Sequence, residues 1–191
     1  MKQLKTWKYL STVCASVCAT LFVVLACASD DPKSQSAETM PDDFVVVADF
    51  IPDIIQEIRY HSTYNFVGER ITGYEEPKSI LTRKAAEALK AVSDDVMAQG
   101  YRLKVYDAYR PQCAVDHFVR WAEDVDDTRM KAYFYPEVPK SELFEREYIM
   151  ARSGHTRGST VDLTLFDMQT GKEVDMGGPF DWFGELSHPD Y

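Results

Sequence analysis

The spacing of apolar and polar residues predicts two amphipathic helices. The first begins after Thr82, a residue suited to the N-cap, and ends at Gly100, since glycine favours the conformation that closes a helix. Its apolar residues recur at helical spacing: Ala85, Leu89, Val92 and Val96. The second helix begins at Pro111, a residue favoured in the first turn. Its packing face is predicted to contain Ala114, Phe118, Trp121 and Ala122.

Runs of apolar and β-branched residues predict strands around these helices. They cover residues 44–47, 54–60, 101–109 and 160–166, and a turn at Thr170-Gly171 leads to a hairpin partner around residues 173–176. No internal repeat interrupts this order. Residues 42–191 are therefore predicted to form one α+β domain, an antiparallel sheet with flanking helices.

The strand at residues 160–166 carries the first chemical signal. Strict alternation directs its apolar residues to the core: Val161, Leu163 and Leu165. Asp162 then points the opposite way, where its carboxylate is available as a ligand. His155 precedes the strand, and Gly154 and Gly158 allow a sharp turn that brings the imidazole back toward Asp162. This pair suits zinc, which in catalytic sites takes three protein ligands and a water. The alternative is a polar loop that simply meets a strand.

The N-terminus has the pattern of an export signal. Three lysines precede an apolar run that extends from Tyr9 to Ala26 and ends at Cys27. Residues 24–27 resemble a bacterial lipobox, in which Cys27 would be acylated and anchor the protein by lipid. An uncleaved transmembrane helix is the alternative, because the run is long enough to cross a bilayer. Residues 28–41 predict a flexible tether. We therefore expect a signal at residues 1–27 and a domain in the bacterial envelope, lipid-anchored and facing the periplasm.

Charge and cysteine content restrict the partners further. The chain carries 21 basic and 31 acidic residues, and removal of the signal, with its three lysines and no acids, would leave a net charge of −13. Such a balance disfavours nucleic acids and anionic membrane surfaces as partners. Only Cys113 of the four cysteines lies in the predicted domain, which excludes a disulfide within it, and we expect it to be packed on its helix.

Ordered motifs along the domain resemble a known family. Residues 153–162 match the S-x-H-x-x-G-x-x-x-D signature of the zinc D-alanyl-D-alanine dipeptidases, the VanX-like group of peptidase family M15. The similarity covers nearly everything from about residue 49 onward. It includes residues 58–60, 65–66, 73–75, 106–111, 176–177, 180–181 and 187–188. The resemblance implies one Zn²⁺ per chain and a fold similar to the Hedgehog and D,D-peptidase zinc fold.

The resemblance also implies roles for six residues. His155 and Asp162 correspond to zinc ligands, and Arg110 to the arginine that stabilises the oxyanion of the tetrahedral intermediate, although a surface pair with Asp107 is the alternative for Arg110. Substrate-pocket positions correspond to Tyr60, Ser153 and Asp181. Each has a structural alternative, as a core-edge residue, a turn former and a loop cap respectively.

The C-terminus departs from the family pattern. The family pattern continues with a helix and a strand bearing E-x-x-H, which supplies the general base and the third zinc ligand, so we expect a C-terminally incomplete domain. Glu185 to His188 also spells E-x-x-H. It aligns, however, with an upstream loop of the family, F-D-x-F-x-E-x-S-H, and we do not expect His188 to bind zinc.

The resemblance predicts a zinc dipeptidase that hydrolyses D-alanyl-D-alanine or a related small D,D-dipeptide in cell-wall metabolism. A D,D-carboxypeptidase that trims peptidoglycan stems shares the metal chemistry and differs in how open the pocket is. A catalytically inactive envelope lipoprotein, or a fragment of the same fold, is the alternative from another class. Metal content and dipeptide hydrolysis discriminate between these possibilities.

Overall fold

Six short strands and four helices make up the fold in the computed structural model, which describes residues 40–188. In chain order they are β1 (Phe44–Val46), α1 (Val47–Phe50), β2 (Ile55–Gln56), β3 (Ile80–Thr82), α2 (Arg83–Ala98), β4 (Tyr101–Asp107), α3 (Gln112–Glu123), α4 (Lys131–Phe134), β5 (Asp162–Asp167) and β6 (Lys172–Glu173). Single 3₁₀ turns lie at Arg59–His61, Lys140–Glu142, Gly154–Arg157 and Glu185–Ser187. The predicted α+β class is confirmed.

The main sheet has the strand order β2-β4-β5-β6, and β1 pairs with β3 in a separate two-stranded ribbon. Strands β4, β5 and β6 are antiparallel, whereas β2 runs parallel to β4. The prediction of a purely antiparallel sheet is therefore wrong. The chain leaves β2, forms β3 and helix α2, and only then returns as β4, and a long crossover of this kind permits parallel pairing. The extended segment predicted at residues 54–60 is reduced to β2.

Helices α2 and α3 confirm the predicted periodicity with one difference. All four residues predicted for the packing face of α3 are buried: Ala114, Phe118, Trp121 and Ala122. In α2 the buried residues are Ala86, Leu89 and Ser93, and Val92 is 49% exposed. The buried stripe is thus rotated from the predicted one, because small Ala86 and Ser93 face inward where α2 packs on β4.

Strand β5 has one apolar residue that faces solvent, contrary to prediction. Val161 and Leu165 pack against the core, but Leu163 is 37% exposed. The outer neighbour β6 pairs only with Phe166 and Asp167. On the edge away from β4, the first half of β5 therefore has no paired strand within residues 40–188, and Leu163 lies uncovered there.

The predicted signal, Cys27 and all but the last two residues of the predicted tether lie outside the described residues. Between residues 40 and 188, no helix combines the length and the apolar character that a membrane crossing requires.

Candidate metal centre

Two carboxylates lie side by side where β4 ends and β5 begins. Asp107, the last residue of β4, is the cross-strand partner of Asp162, the first residue of β5. The register of the pair shifts between Val105 and Asp107. Such a bulge re-aims side chains at the end of a strand. As a result, both acids converge on the turn that carries His155.

His155 is held in one orientation by backbone contacts. It lies in the 3₁₀ turn Gly154–Arg157, where the Oγ of the N-cap residue Ser153 accepts a hydrogen bond from the backbone N–H of His155, with an N–O distance of 3.2 Å. The imidazole Nδ1 lies 2.7 Å from the carbonyl oxygen of Ala108. Because a carbonyl can only accept, Nδ1 must carry the proton, which leaves the lone pair on Nε2. This second contact is typical of metal-binding histidines.

The separation of His155 and Asp162 fits two ligands of one ion. Nε2 of His155 lies 3.4 Å from Oδ1 of Asp162. Zinc–nitrogen and zinc–oxygen bonds of 2.0–2.2 Å at a tetrahedral angle place two ligand atoms roughly 3.4 Å apart. Asp162 is 31% exposed, so its side of the pair is open to solvent. The predicted imidazole–carboxylate pair is therefore present with the spacing and access that a catalytic metal needs.

Asp107 is the third acidic or imidazole group at this position. Ligand atoms of Asp107, His155 and Asp162 lie within 4.8 Å of one another. Oδ2 of Asp107, however, is nearest to Nδ1 of His155, at 3.4 Å, and Nδ1 is the protonated nitrogen. The same carboxylate accepts hydrogen bonds from Tyr74 (O–O distance 2.7 Å) and from Arg110. Asp107 therefore lies behind the imidazole and fixes other side chains instead of completing the ligand pair.

Arg110 is largely covered beside the buried Asp107 and faces Asp162. Its Nε and Nη2 lie 3.0 and 2.8 Å from Oδ2 of Asp107, and Nη2 lies 3.7 Å from Oδ2 of Asp162. The guanidinium also stacks over the rings of Tyr60 and Phe118. Burial alone would lower the pKa of Arg110, but the acidic groups around it raise the pKa above its ordinary value. Arg110 thus keeps a fixed positive charge next to the candidate ligands.

From the sequence, a pair between Arg110 and Asp107 is expected only as a surface alternative. The structure contains this pair, but Asp107 is only 1% exposed, so the pair is a buried one. The sequence indicates this pair only through spacing: Asp107 lies three residues before Arg110, near the end of a predicted strand. Tyr74, which completes the contact, lies in one of the family-like motifs, but it is distant in sequence and nothing there indicates its contact with Asp107.

The three predicted pocket residues lie around the same centre. A cavity of about 220 Å³ is lined by residues that include Tyr60, Arg110 and Ser153. The Tyr60 hydroxyl donates to the carboxylate of Asp181, at 2.9 Å from Oδ2. Burial, with a contribution from the charge of Asp162, raises the pKa of Asp181 to about 7. A larger concavity of about 1030 Å³ lies at the start of α2 and contains none of the predicted site residues.

Two other candidates of the sequence lie apart from this centre. His188 is within hydrogen-bonding distance of Tyr148, with 3.0 Å between Nε2 and the hydroxyl oxygen, and Glu185 is exposed. Within residues 40–188, His188 does not belong to the group of side chains that lie close enough to share an ion with His155.

Cys113 is exposed, so the expectation of a packed thiol is wrong.

Comparisons with known proteins match most of the chain. The sequence profile of a family described as peptidase M15, D-Ala-D-Ala dipeptidase, matches residues 40–191. The chain is similar to a D-alanyl-D-alanine dipeptidase of Streptomyces coelicolor, with 39% identity over 151 residues, 79% of this chain and 75% of the relative. A protein of the same name from Enterococcus faecalis is 39% identical over 73% of this chain and 71% of the relative. One from Escherichia coli is 30% identical over 76% of this chain and 65% of the relative.

Proposed function

Since the chain belongs to the D-Ala-D-Ala dipeptidase family of peptidase M15, we propose that it is a metallopeptidase that hydrolyses D-alanyl-D-alanine or a related small D,D-dipeptide in cell-wall metabolism. The observation that carries the proposal is the spacing of 3.4 Å between Nε2 of His155 and Oδ1 of Asp162, with the charge of Arg110 directly beside them. A peptidase of this kind needs a metal-binding pair and a fixed cation at one place.

His155 and Asp162 would hold the metal, and zinc is the ion that suits this donor set. When bound, zinc in such a site polarises the substrate carbonyl and lowers the pKa of a bound water. The contact of His155 with Ala108 keeps the proton on Nδ1, so that Nε2 stays available without a change of tautomer. The partial exposure of Asp162 leaves room for a small substrate to approach.

Arg110 would stabilise the negative charge that develops on the carbonyl oxygen during attack. It suits this role because the guanidinium is charged at every working pH and presents several donors. Asp107 holds Nε and Nη2, and the Tyr60 and Phe118 rings restrict the guanidinium plane. Arg110 therefore requires little reorganisation when charge appears, which is the condition under which such a donor contributes most.

Tyr60, Ser153 and Asp181 would receive the charged ends of the dipeptide. The carboxylate of Asp181 suits a free ammonium group, and the Tyr60 hydroxyl fixes that carboxylate. The Oγ of Ser153 lies 3.5 Å from Nη1 of Arg110, so the two can share an anionic oxygen. The site thus offers a group of opposite charge to each end of a zwitterion.

The wall of the cavity beside Arg110 favours a dipeptidase over a D,D-carboxypeptidase. The cavity of about 220 Å³ is walled on one side by residues 147–150. Ile149 in this wall is buried, and Tyr148 stacks on Phe183. A wall beside Arg110 and Ser153 would restrict a long peptidoglycan stem more than a dipeptide.

The envelope location, the lipid anchor at Cys27 and the likeness to the Hedgehog and D,D-peptidase zinc fold are part of the same proposal. Export and acylation are supported by the N-terminal sequence, with its lysines, apolar run and terminal cysteine. The fold is supported by a histidine turn that precedes an aspartate-bearing strand of a mixed sheet. A periplasmic enzyme of this kind would meet D-alanyl-D-alanine released from the cell wall.

Metal analysis of single variants tests the proposal. His155→Ala and Asp162→Ala should each lose stoichiometric zinc after dialysis, because each removes one of very few protein ligands. His117→Ala is the matched control, since His117 contacts Thr72 and Glu69 away from the centre and its loss should leave zinc in place. Zinc at the unsubstituted level in both site variants would refute the metal site. Hydrolysis of a pentapeptide stem faster than of the dipeptide would instead favour the carboxypeptidase.

A further inference from the structure

The β1–β3 ribbon contacts both halves of the metal centre. The carbonyl of Ile80 accepts a hydrogen bond from the backbone N–H of Tyr109, the residue before Arg110, at 2.9 Å. The N–H of Thr82 donates to the carbonyl of Gly158, which ends the turn of His155, at 2.8 Å. One strand, β3, is thereby tied both to the segment that carries Arg110 and to the turn that carries a candidate metal ligand.

Phe44 closes this contact from the neighbouring strand. It is the register partner of Thr82 in the ribbon, and its ring lies 5.6 Å from the ring of Tyr109 in an edge-on arrangement. The same ring covers Gly158, where a Cβ would lie 2.3 Å from Cε1 of Phe44. Neighbouring Val45 packs against the hydrophobic core. The Phe44 ring therefore fills the space over the histidine turn.

Gly158 is matched to this ring for two separate reasons. Its φ of +69° is a conformation that side chains other than glycine adopt at a cost. Its Cα also has no room for a methyl group below the Phe44 ring. The turn must close tightly here, because the N–H of Gly158 and that of Arg110 both donate to the carbonyl of His155, at 2.9 and 3.3 Å.

From these contacts we infer that Phe44 is a positioning residue for the candidate metal centre. Its ring presses the turn of residues 154–158 against residues 108–110, which keeps Nδ1 of His155 on the carbonyl of Ala108 and Nε2 toward Asp162. Loss of the ring leaves a cavity over Gly158 into which the turn can shift, and a shift of 1 Å is enough to spoil a tetrahedral spacing. The role in metal binding rests on the function proposed above, whereas the fixing of the turn does not.

Hydrogen exchange of the metal-free protein tests the fixing of the turn. Phe44→Ala should speed exchange of the Thr82, Gly158 and Arg110 amides by about tenfold or more relative to amides in α3, because these three close the turn and the ribbon. Phe50→Ala is the matched control: Phe50 is also half-buried but packs on the core, so its loss should affect these amides no more than those of α3. Equal effects of the two variants on the three amides would overturn the inference, whether or not the protein binds metal.

A second pair of measurements separates positioning from bulk stability. Gly158→Ala should lower the folding equilibrium constant several-fold more when Phe44 is present than in the Phe44→Ala background. The reason is that only the Phe44 ring clashes with the added methyl group. With Co²⁺ as the probe, Phe44→Ala should bind about tenfold more weakly and change the visible absorption spectrum, and Phe44→Leu should restore most of both. Additive Gly158 and Phe44 effects would overturn the inference. An unsubstituted protein that binds no Co²⁺ would refute the proposed metal site, and hydrogen exchange would still decide the role of Phe44.

Discussion

Replacing Asp107 by alanine tests whether the buried ion pair holds Arg110 in place. The carboxylate of Asp107 accepts from Nε and Nη2 of Arg110 and from the hydroxyl of Tyr74. Both partners are deep in the structure, with side chains 1% and 14% exposed. The substitution removes the nearest counter-charge of Arg110, and Asp162, at 3.7 Å, is too far to replace the lost hydrogen bonds.

The expected cost follows from the state of the two groups that remain. Removal of one partner from a buried ion pair lowers the free energy of unfolding by about 3–5 kcal/mol. The Tyr74 hydroxyl also loses its acceptor, which costs about 1–3 kcal/mol when no water replaces it. Since these effects overlap at one site, we expect a total loss of about 4 kcal/mol for Asp107→Ala. Asp162→Ala removes a more exposed acid and should cost about 1 kcal/mol or less.

Urea unfolding of the metal-free protein at pH 7 measures these differences. For a slope of about 2 kcal/mol per molar urea, Asp107→Ala should lower the midpoint by about 2 M. The decisive variant is Asp107→Ala combined with Arg110→Met, which removes the stranded charge and should be more stable than Asp107→Ala alone. If the double variant is instead less stable than either single variant, Arg110 is not stranded by the loss of Asp107, and the assignment of Asp107 as its buried partner is refuted.

Three further predictions concern Arg110, the metal and pH. Arg110→Ala should retain zinc and lower kcat by about 10² or more, because it removes an oxyanion donor. Steady-state kinetics test this, and a change in KM alone would make Arg110 a substrate clamp. Burial lowers the pKa of His155, but the hydrogen bond and the charge of Asp162 raise it above its ordinary value overall. A protonated imidazole cannot bind a metal, so zinc affinity should fall as the pH drops through this raised pKa. Zinc titrations at several pH values measure this loss. Because the pKa of Asp181 is raised to about 7, the folded protein keeps a proton that the unfolded chain releases near pH 4. The free energy of unfolding should therefore decrease as pH rises from about 4 to about 7. In urea unfolding, Asp181→Asn should make the free energy of unfolding depend less on pH over this range. The same pH dependence in both proteins would mean that Asp181 titrates normally.

The sequence determined the features that depend on neighbouring residues. Helices α2 and α3 follow from periodicity over a dozen or more positions, and their predicted limits agree with the structure to within a few residues. The pairing of His155 with Asp162 could likewise be expected, because only six residues, Gly158 among them, separate the histidine of the turn from the aspartate of the strand that follows it. Local chemistry was sufficient for these features because the interacting groups are close in the chain.

The tertiary structure decided what depends on contacts between distant segments. The parallel pairing of β2 and the exposure of Leu163 depend on which strands become neighbours, and alternation along one strand carries no information about that. The burial of the Asp107–Arg110 pair involves Tyr74, more than thirty residues earlier, whose hydroxyl donates to the same carboxylate. The contact of Phe44 with Gly158 spans more than a hundred residues. In each case a side chain acquires its role from the surface packed against it, and only the folded chain specifies that surface.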